Sequence, residues 1–299
     1  MTADLDHLAI GTPTLADGWE LFCGVLGGTW VYGMDSPGYW WGQLEFAAGP
    51  KIELLTPTGG PDAAFLERFL AARGAGPHHF NFIVSDIRAT LARIRELGIE
   101  PVGISLDYPA WREAFLHPRD AHGIVIQVAQ QAGTPSPDAP PAELPAPGPA
   151  ASFGLIEHHV GDLAAATRLF TEALDGRLEA ADGDSAELAW PGGKRLRLVR
   201  EDGLPLGGML HHVGFARAEG TFGAQERERA GEADVVQHPA EGQAVLAHQP
   251  GPAASGSGWC VRTACRSAER CTTSASPAPR ARSAPRTGSA QACWPSASA

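Results

Sequence analysis

The 299 residues include 43% hydrophobic side chains, enough for real cores, and carry a net charge of −11. The charge is uneven: beyond position 250 six arginines face Glu269 alone, so the first 250 residues carry −16. This excludes a basic nucleic-acid-binding body, and no run approaches the ~18 apolar residues of a membrane span. No basic-then-apolar leader opens the chain, so a cytoplasmic protein with a small-molecule partner, and neither membrane nor nucleic acid, is expected. Cys23 is alone in the body, and Cys260, Cys265, Cys271 and Cys293 lack the spacing of a zinc site.

Residues 5–11 alternate as a strand, and Thr14 is placed to cap a helix with Leu15, Trp19, Phe22 and Leu26 on one face, stopping at Gly27-Gly28. A hairpin of strands 40–46 and 51–55 completes a β-α-β-β pattern, with another strand expected near residues 29–33. Asp62 opens a connecting helix closed by Gly74. The pattern then repeats: strand 79–84, a helix capped by Ser85 or Asp86, and short strands near 101–105, 114–116 and 124–129. Residues 131–151, rich in Pro and Ala, read as an extended linker. A third strand-helix unit follows from Phe153, with its helix capped by Asp162 and a hairpin over Pro191-Gly192-Gly193. His211-His212 then echoes His78-His79, and from Gly251 the aperiodic Ser/Ala/Arg/Pro composition predicts disorder. The expected organisation is a domain over 1–130, a linker over 131–152, a degenerate second domain over 153–249 and a tail over 250–299.

Four polar residues interrupt otherwise apolar strands: His7, Glu53, His79 and Gln127. His7 to Glu53 spans 46 positions and His79 to Gln127 spans 48, so the oddities recur at the spacing of an internal duplication and suggest one metal site. Taken singly, each is more often an ordinary strand residue. Alternation would turn His78 to the side opposite His79. His117 and His122 read as loop residues, and His158 and His159 as strand residues without metal partners.

The stretches LDHLAI, KIELLTP, GAGPHHFNFIVSDI and FLHPRDAHGIVIQV resemble the vicinal oxygen chelate superfamily of glyoxalases, bleomycin-resistance proteins and dioxygenases. The first 130 residues look most like its methylmalonyl-CoA epimerase branch. The resemblance implies an α+β fold of tandem β-α-β-β-β modules whose curved mixed sheets enclose a metal cavity. It implies a divalent metal (Co, Ni, Zn, Mn, Mg or Fe) on His7, Glu53, His79 and Gln127. The implied activity is isomerisation or epimerisation of a carbonyl compound through a metal-stabilised enolate, with Glu53 and Glu113 as candidate proton carriers. Gln127 cannot act as a base where the epimerases usually offer Glu, so a one-base reaction fits as well. A non-haem iron dioxygenase and a non-catalytic antibiotic-binding protein are the alternatives.

Tyr108, Trp111 and Trp40 are the candidate pocket residues, within an aromatic set that also holds Trp30, Tyr32, Tyr39 and Trp41. Lys51 and Lys194 are the only lysines, which speaks against a CoA substrate with its phosphates. In the second domain, aligning helix starts sets Leu155 against His79 and Arg197 against Glu53, with only His212 matching. No divalent ion is expected there, and a homodimer that completes the unpaired module stays open.

Overall fold

The computed structural model describes residues 2–133, 139–216 and 244–248; the tail expected beyond residue 250 lies outside them. The architecture is mixed α+β, with two mixed sheets and few helices. At the centre of the first sheet, β1 (Ala3–Gly11) pairs parallel with β4 (Lys51–Pro57) and antiparallel with β5 (Gly76–Val84). β3 (Tyr39–Glu45) and β2 (Thr29–Ser36) extend it beyond β4. β8 (Val125–Gln131), β7 (Trp111–Leu116) and β6 (Val102–Ser105) extend it beyond β5.

The second sheet runs, in spatial order, β10 (Arg177–Ala181), β11 (Ser185–Trp190), β12 (Lys194–Arg200), β9 (Ser152–Val160), β13 (Gly208–Ala216) and β14 (Ala244–His248). β9 repeats the role of β1, parallel to β12 and antiparallel to β13.

Short-range chemistry starts the helices where the sequence expects them. α1 (Leu15–Trp19) begins at Thr14, whose backbone N–H and hydroxyl both donate to Asp17 Oδ2 (3.1 and 2.8 Å). It widens into a π-helix over Glu20–Val25. Asp62 falls in a 3₁₀ turn (Pro61–Ala63), and α2 (Ala64–Arg73) follows. Asp86 caps α3 (Ile87–Glu96) through Ala89 N–H, and Asp162 caps α4 (Leu163–Arg168) through Ala165 N–H.

One face of each sheet is dry. Leu8, Ile10, Ile52, Leu54, Phe80 and Phe82 of the first sheet join Ile156, Phe170, Trp190, Leu198 and Phe215 of the second half in one core. Phe170 lies against Phe80, Phe82 and Trp190, with centroids 5.5–6.5 Å apart across that set. Asp175 ties the halves at the edge, accepting from Ala3 N–H (2.8 Å) and from Arg93 (2.6 and 3.2 Å). The described part of the connector, residues 139–151, is fastened rather than free: Gly148 N–H donates to Cys23 C=O, and Ala151 N–H to Leu26 C=O.

The halves also meet backbone to backbone. Gly123 has φ +89°, and a Cβ there would come 1.7 Å from the Gly208 carbonyl oxygen. Gly123→Ala therefore combines left-handed strain with a collision, and should cost at least ~1–3 kcal/mol in thermal unfolding.

His158, fully buried against Phe80, donates Nε2–H to the His122 carbonyl at 2.7 Å. Burial pushes its pKa down to about 4. Below the unfolded value near 6.5 the unfolded chain takes a proton that the folded chain refuses, so stability falls as pH falls. A loss of up to ~1.4 kcal/mol per pH unit between about 6.5 and 4 is expected from this group, and His158→Leu should flatten that slope in urea titrations.

Candidate metal centre

The other face of the first sheet forms a polar cup. On β1 the apolar Leu8 and Ile10 turn to the core, which sends His7 and Ala9 to the opposite side. Ala9 sits in register with Glu53 of β4 and with His79 of β5, so strand pairing alone brings a carboxylate and an imidazole to its flanks. His7, Glu53 and His79 are all buried, and one ligand atom from each lies within 4.8 Å of the others. His7 Nε2 is 3.5 Å from Glu53 Oε2, and His79 Nε2 is 3.9 Å from Glu53 Oε1.

Two bulges set the rings. Asp6 is the extra residue in β1, between the Leu5–Phe82 and His7–Asn81 pairs, and its Oδ2 lies 2.8 Å from His7 Nδ1. That contact assigns the His7 proton to Nδ1 and leaves a lone pair on Nε2, facing Glu53. Burial works to raise the Asp6 pKa, but the His7 hydrogen bond and the Lys51 charge and hydrogen bond outweigh it and hold the carboxyl well below its usual range. His78 is the extra residue of β5, between the pairs made by His79 and Pro77. The alternation expected from the sequence breaks at that point. His78 turns toward His79 rather than away, with the two Nδ1 atoms 2.9 Å apart and the His78 ring edge-on to Phe65 and Phe69.

Burial drives the His79 pKa well below the ordinary value, helped by the neighbouring histidines and partly opposed by Gln127. A neutral His79 keeps its lone pair. Both Nε2 atoms are buried and make no hydrogen bond, a costly arrangement unless something binds there. Two imidazole nitrogens and a carboxylate converging in this way fit a borderline divalent cation.

Gln127 lies beside His79, with both ends of its amide engaged by other partners. Its Oε1 accepts from Asn81 Nδ2 (2.8 Å) and its Nε2 donates to Glu113 Oε2 (2.7 Å). Glu113 Oε2 also accepts from Trp111 Nε1 (2.8 Å), which joins Glu113 and Trp111 to the same polar network. Tyr108 is exposed on the turn before β7. Trp40 lies on the core face, stacked on Trp30 and edge-on to Trp19, because it alternates with Trp41 on β3. The aromatic set thus divides: Tyr39 and Trp41 pack on the cup side with Ala9, Leu55 and Leu66, and Tyr32 pairs across the strands with Gln43.

Gln43 is the residue that sequence reasoning missed. It is buried on β3 in register with Glu53, and its Nε2 donates to Glu53 Oε2 at 2.8 Å while lying 3.2 Å from His7 Nδ1. A polar residue two positions from Trp41 and one before Leu44 was the available signal. Asp6 holds the imidazole through Nδ1, away from Glu53, and Gln43 holds the carboxylate through Oε2, leaving Oε1 toward His79. Asp6→Asn should weaken metal binding by roughly 10–100-fold, as outer partners of ligating histidines do. Isothermal titration of the stripped protein with Zn²⁺ checks this.

In the second half the pairing places Glu157, Arg197 and His212 where Ala9, Glu53 and His79 stand, with Leu155 in the place of His7. The cup's own ligand set is therefore not repeated.

Over residues 6–115 the chain matches the family model of the Glyoxalase/Bleomycin resistance protein/Dioxygenase superfamily. Among solved structures it is similar to a hypothetical protein from Bacillus halodurans, at 26% identity over 46% of this chain and 99% of that one, with a TM-score of 0.40. It is similar to methylmalonyl-CoA epimerase from Mycobacterium tuberculosis at 28% identity, covering 43% of this chain and 88% of that one, with a TM-score of 0.39. A mutant 4-hydroxymandelate synthase from Streptomyces coelicolor shares the fold over 73% of this chain and 72% of its own, at 14% identity and a TM-score of 0.50. No curated protein matches the chain. No helix among the described residues is long and apolar enough to cross a membrane.

Proposed function

We propose that the cup is the active site of a metal-dependent isomerase that moves a proton on a small carbonyl compound with a neighbouring oxygen, as glyoxalase I and epimerases do. The observation that carries this reading is the pair of buried, unpartnered Nε2 atoms on His7 and His79, both aimed at Glu53. A divalent ion held there would polarise a carbonyl oxygen and lower the cost of removing a neighbouring proton.

The chain's own groups supply the rest. Trp111 and Gln127 both donate to Glu113 Oε2, which fixes the carboxylate and leaves Oε1 without a hydrogen bond among the described residues. Glu113 is thereby the proton carrier, and Glu53, anchored by Gln43, remains a ligand. Tyr32, Tyr39 and Trp41 give the cup apolar walls that keep water from a carbanionic substrate. Lys51 is committed to Asp6 (2.6 Å) and Lys194 to Asp4 (2.5 Å), so neither is placed to hold a CoA phosphate. A compact substrate, such as a thiol adduct of a 2-oxoaldehyde, suits the site better.

Hydrogen–deuterium exchange at the substrate C–H, followed by NMR over a panel of such adducts, tests the reading. Exchange should require added divalent metal and fall by at least ~100-fold in Glu113→Gln with metal content unchanged. Full exchange in Glu113→Gln would remove Glu113 from this role. A second reading rests on the same three ligands: two histidines and one carboxylate, with the Gln127 oxygen turned to Asn81, are also the ligand set of non-haem iron oxygenases. Oxygen uptake by the iron-loaded protein, without C–H exchange, would favour it.

A further inference from the structure

From the sequence, the second half has no evident ion site and His159 is an ordinary strand residue. The structure gathers five polar side chains on its central strands instead. Glu157 and His159 project from β9, His211 and His212 from β13, and Arg197 from β12. His211 is the extra residue of a bulge in β13, between the Leu210–His158 and His212–Glu157 pairs, and so turns to the same side as His212.

We propose that Glu157, His211 and His212 form a second cation site, distinct from the cup, for a borderline divalent ion such as Zn²⁺, Co²⁺ or Ni²⁺. His211 Nδ1 and His212 Nδ1 are 2.8 Å apart, and Glu157 Oε1 is 3.5 and 3.7 Å from them. A point about 2.0 Å from all three atoms lies almost in their plane, at the length of zinc–nitrogen and zinc–oxygen bonds. An ion bound there would displace the proton that the two Nδ1 atoms share across their 2.8 Å contact. The side chains are only 13–32% exposed, so water access is restricted without the site being sealed.

Neighbouring groups orient the carboxylate. His159 Nε2 bonds Glu157 Oε1 at 2.9 Å, its Nδ1 bonds Glu201 at 2.5 Å, and its ring stacks on His211 with centroids 4.2 Å apart. Arg197 Nη1 approaches the other oxygen, Oε2, at 3.7 Å. Arg197 and His159 both draw on the Glu157 charge, so this site binds more weakly than the cup. Because Glu157 is on β9 and the histidines are on β13, the ion clamps two central strands and its binding raises thermal stability.

The test uses the full chain, purified without a metal column and stripped with chelator, then dialysed against micromolar Zn²⁺. Bound zinc is counted by elemental analysis, and thermal unfolding is followed with and without zinc. Two ions per chain are expected in the wild type, one in His79→Ala, one in Glu157→Gln and none in the double variant. One ion in the wild type, lost in His79→Ala and retained in Glu157→Gln, overturns the second site. One ion retained in His79→Ala and lost in Glu157→Gln supports the second site and overturns the reading of the cup. His212→Asn, at a partly exposed position, repeats the measurement should Glu157→Gln fold poorly, and an unchanged count there also overturns the proposal. Arg197→Gln should tighten the second equivalent severalfold; a loss of binding in that variant would count against the geometry.

Discussion

Glu53→Ala is expected to abolish tight metal binding in the cup, with an effect beyond the roughly 100-fold typical of an outer partner. The variant removes the negative charge shared by both imidazoles, and two neutral nitrogens alone hold a divalent ion poorly. The metal-free protein should respond in the opposite sense. Glu53 is buried with Gln43 as its single hydrogen-bond donor among the described residues, an expensive setting for a carboxylate. Its loss should therefore leave unfolding in urea unchanged or slightly harder when no metal is present. A residue kept for folding would show the reverse, a clear loss of stability without metal. Titration calorimetry and urea unfolding of the same preparations separate the two roles.

Phe170→Ala should cost about 3–5 kcal/mol, the range for emptying a large aromatic site in a packed core. Phe170 is fully buried and touches Phe80 and Phe82 from the first sheet and Trp190 from the second. Removing it opens a cavity walled by both halves, and neither can close it without pulling its own sheet out of register. A fall in Tm on the order of 10 °C is expected, with one transition reporting both sheets. If tryptophan fluorescence and far-UV circular dichroism separated into two transitions, the halves would be shown to fold independently.

Much of the fold was legible because its signals are local. The cap residues Thr14, Asp86 and Asp162 bond to backbone or side chains three residues on, so the sequence alone can place those helix starts. Alternation placed the central strands for the same reason, and the duplicated spacing of polar residues pointed to His7, Glu53 and His79, which the structure brings together. Gln43 escaped notice because Tyr39–Glu45 mixes aromatic, glycine and polar residues without a clean period. Trp40 and Trp41 could not be assigned to core or cup, since two adjacent aromatics satisfy either face.

What the sequence determined by itself is the order of strands and helices, the duplicated pattern and the identity of the polar residues set into apolar strands. All follow from interactions within a few residues or from a period of two. The tertiary structure decided which face became cup and which became core, because that depends on where the second half lays Phe170, Trp190 and Phe215. It also decided the bulges at Asp6, His78 and His211. A bulge is a mismatch between two strands distant in sequence, and no period within one strand records it. Those three extra residues turn a simple alternation into paired imidazoles and a carboxylate-backed His7, and so set the chemistry open to each half.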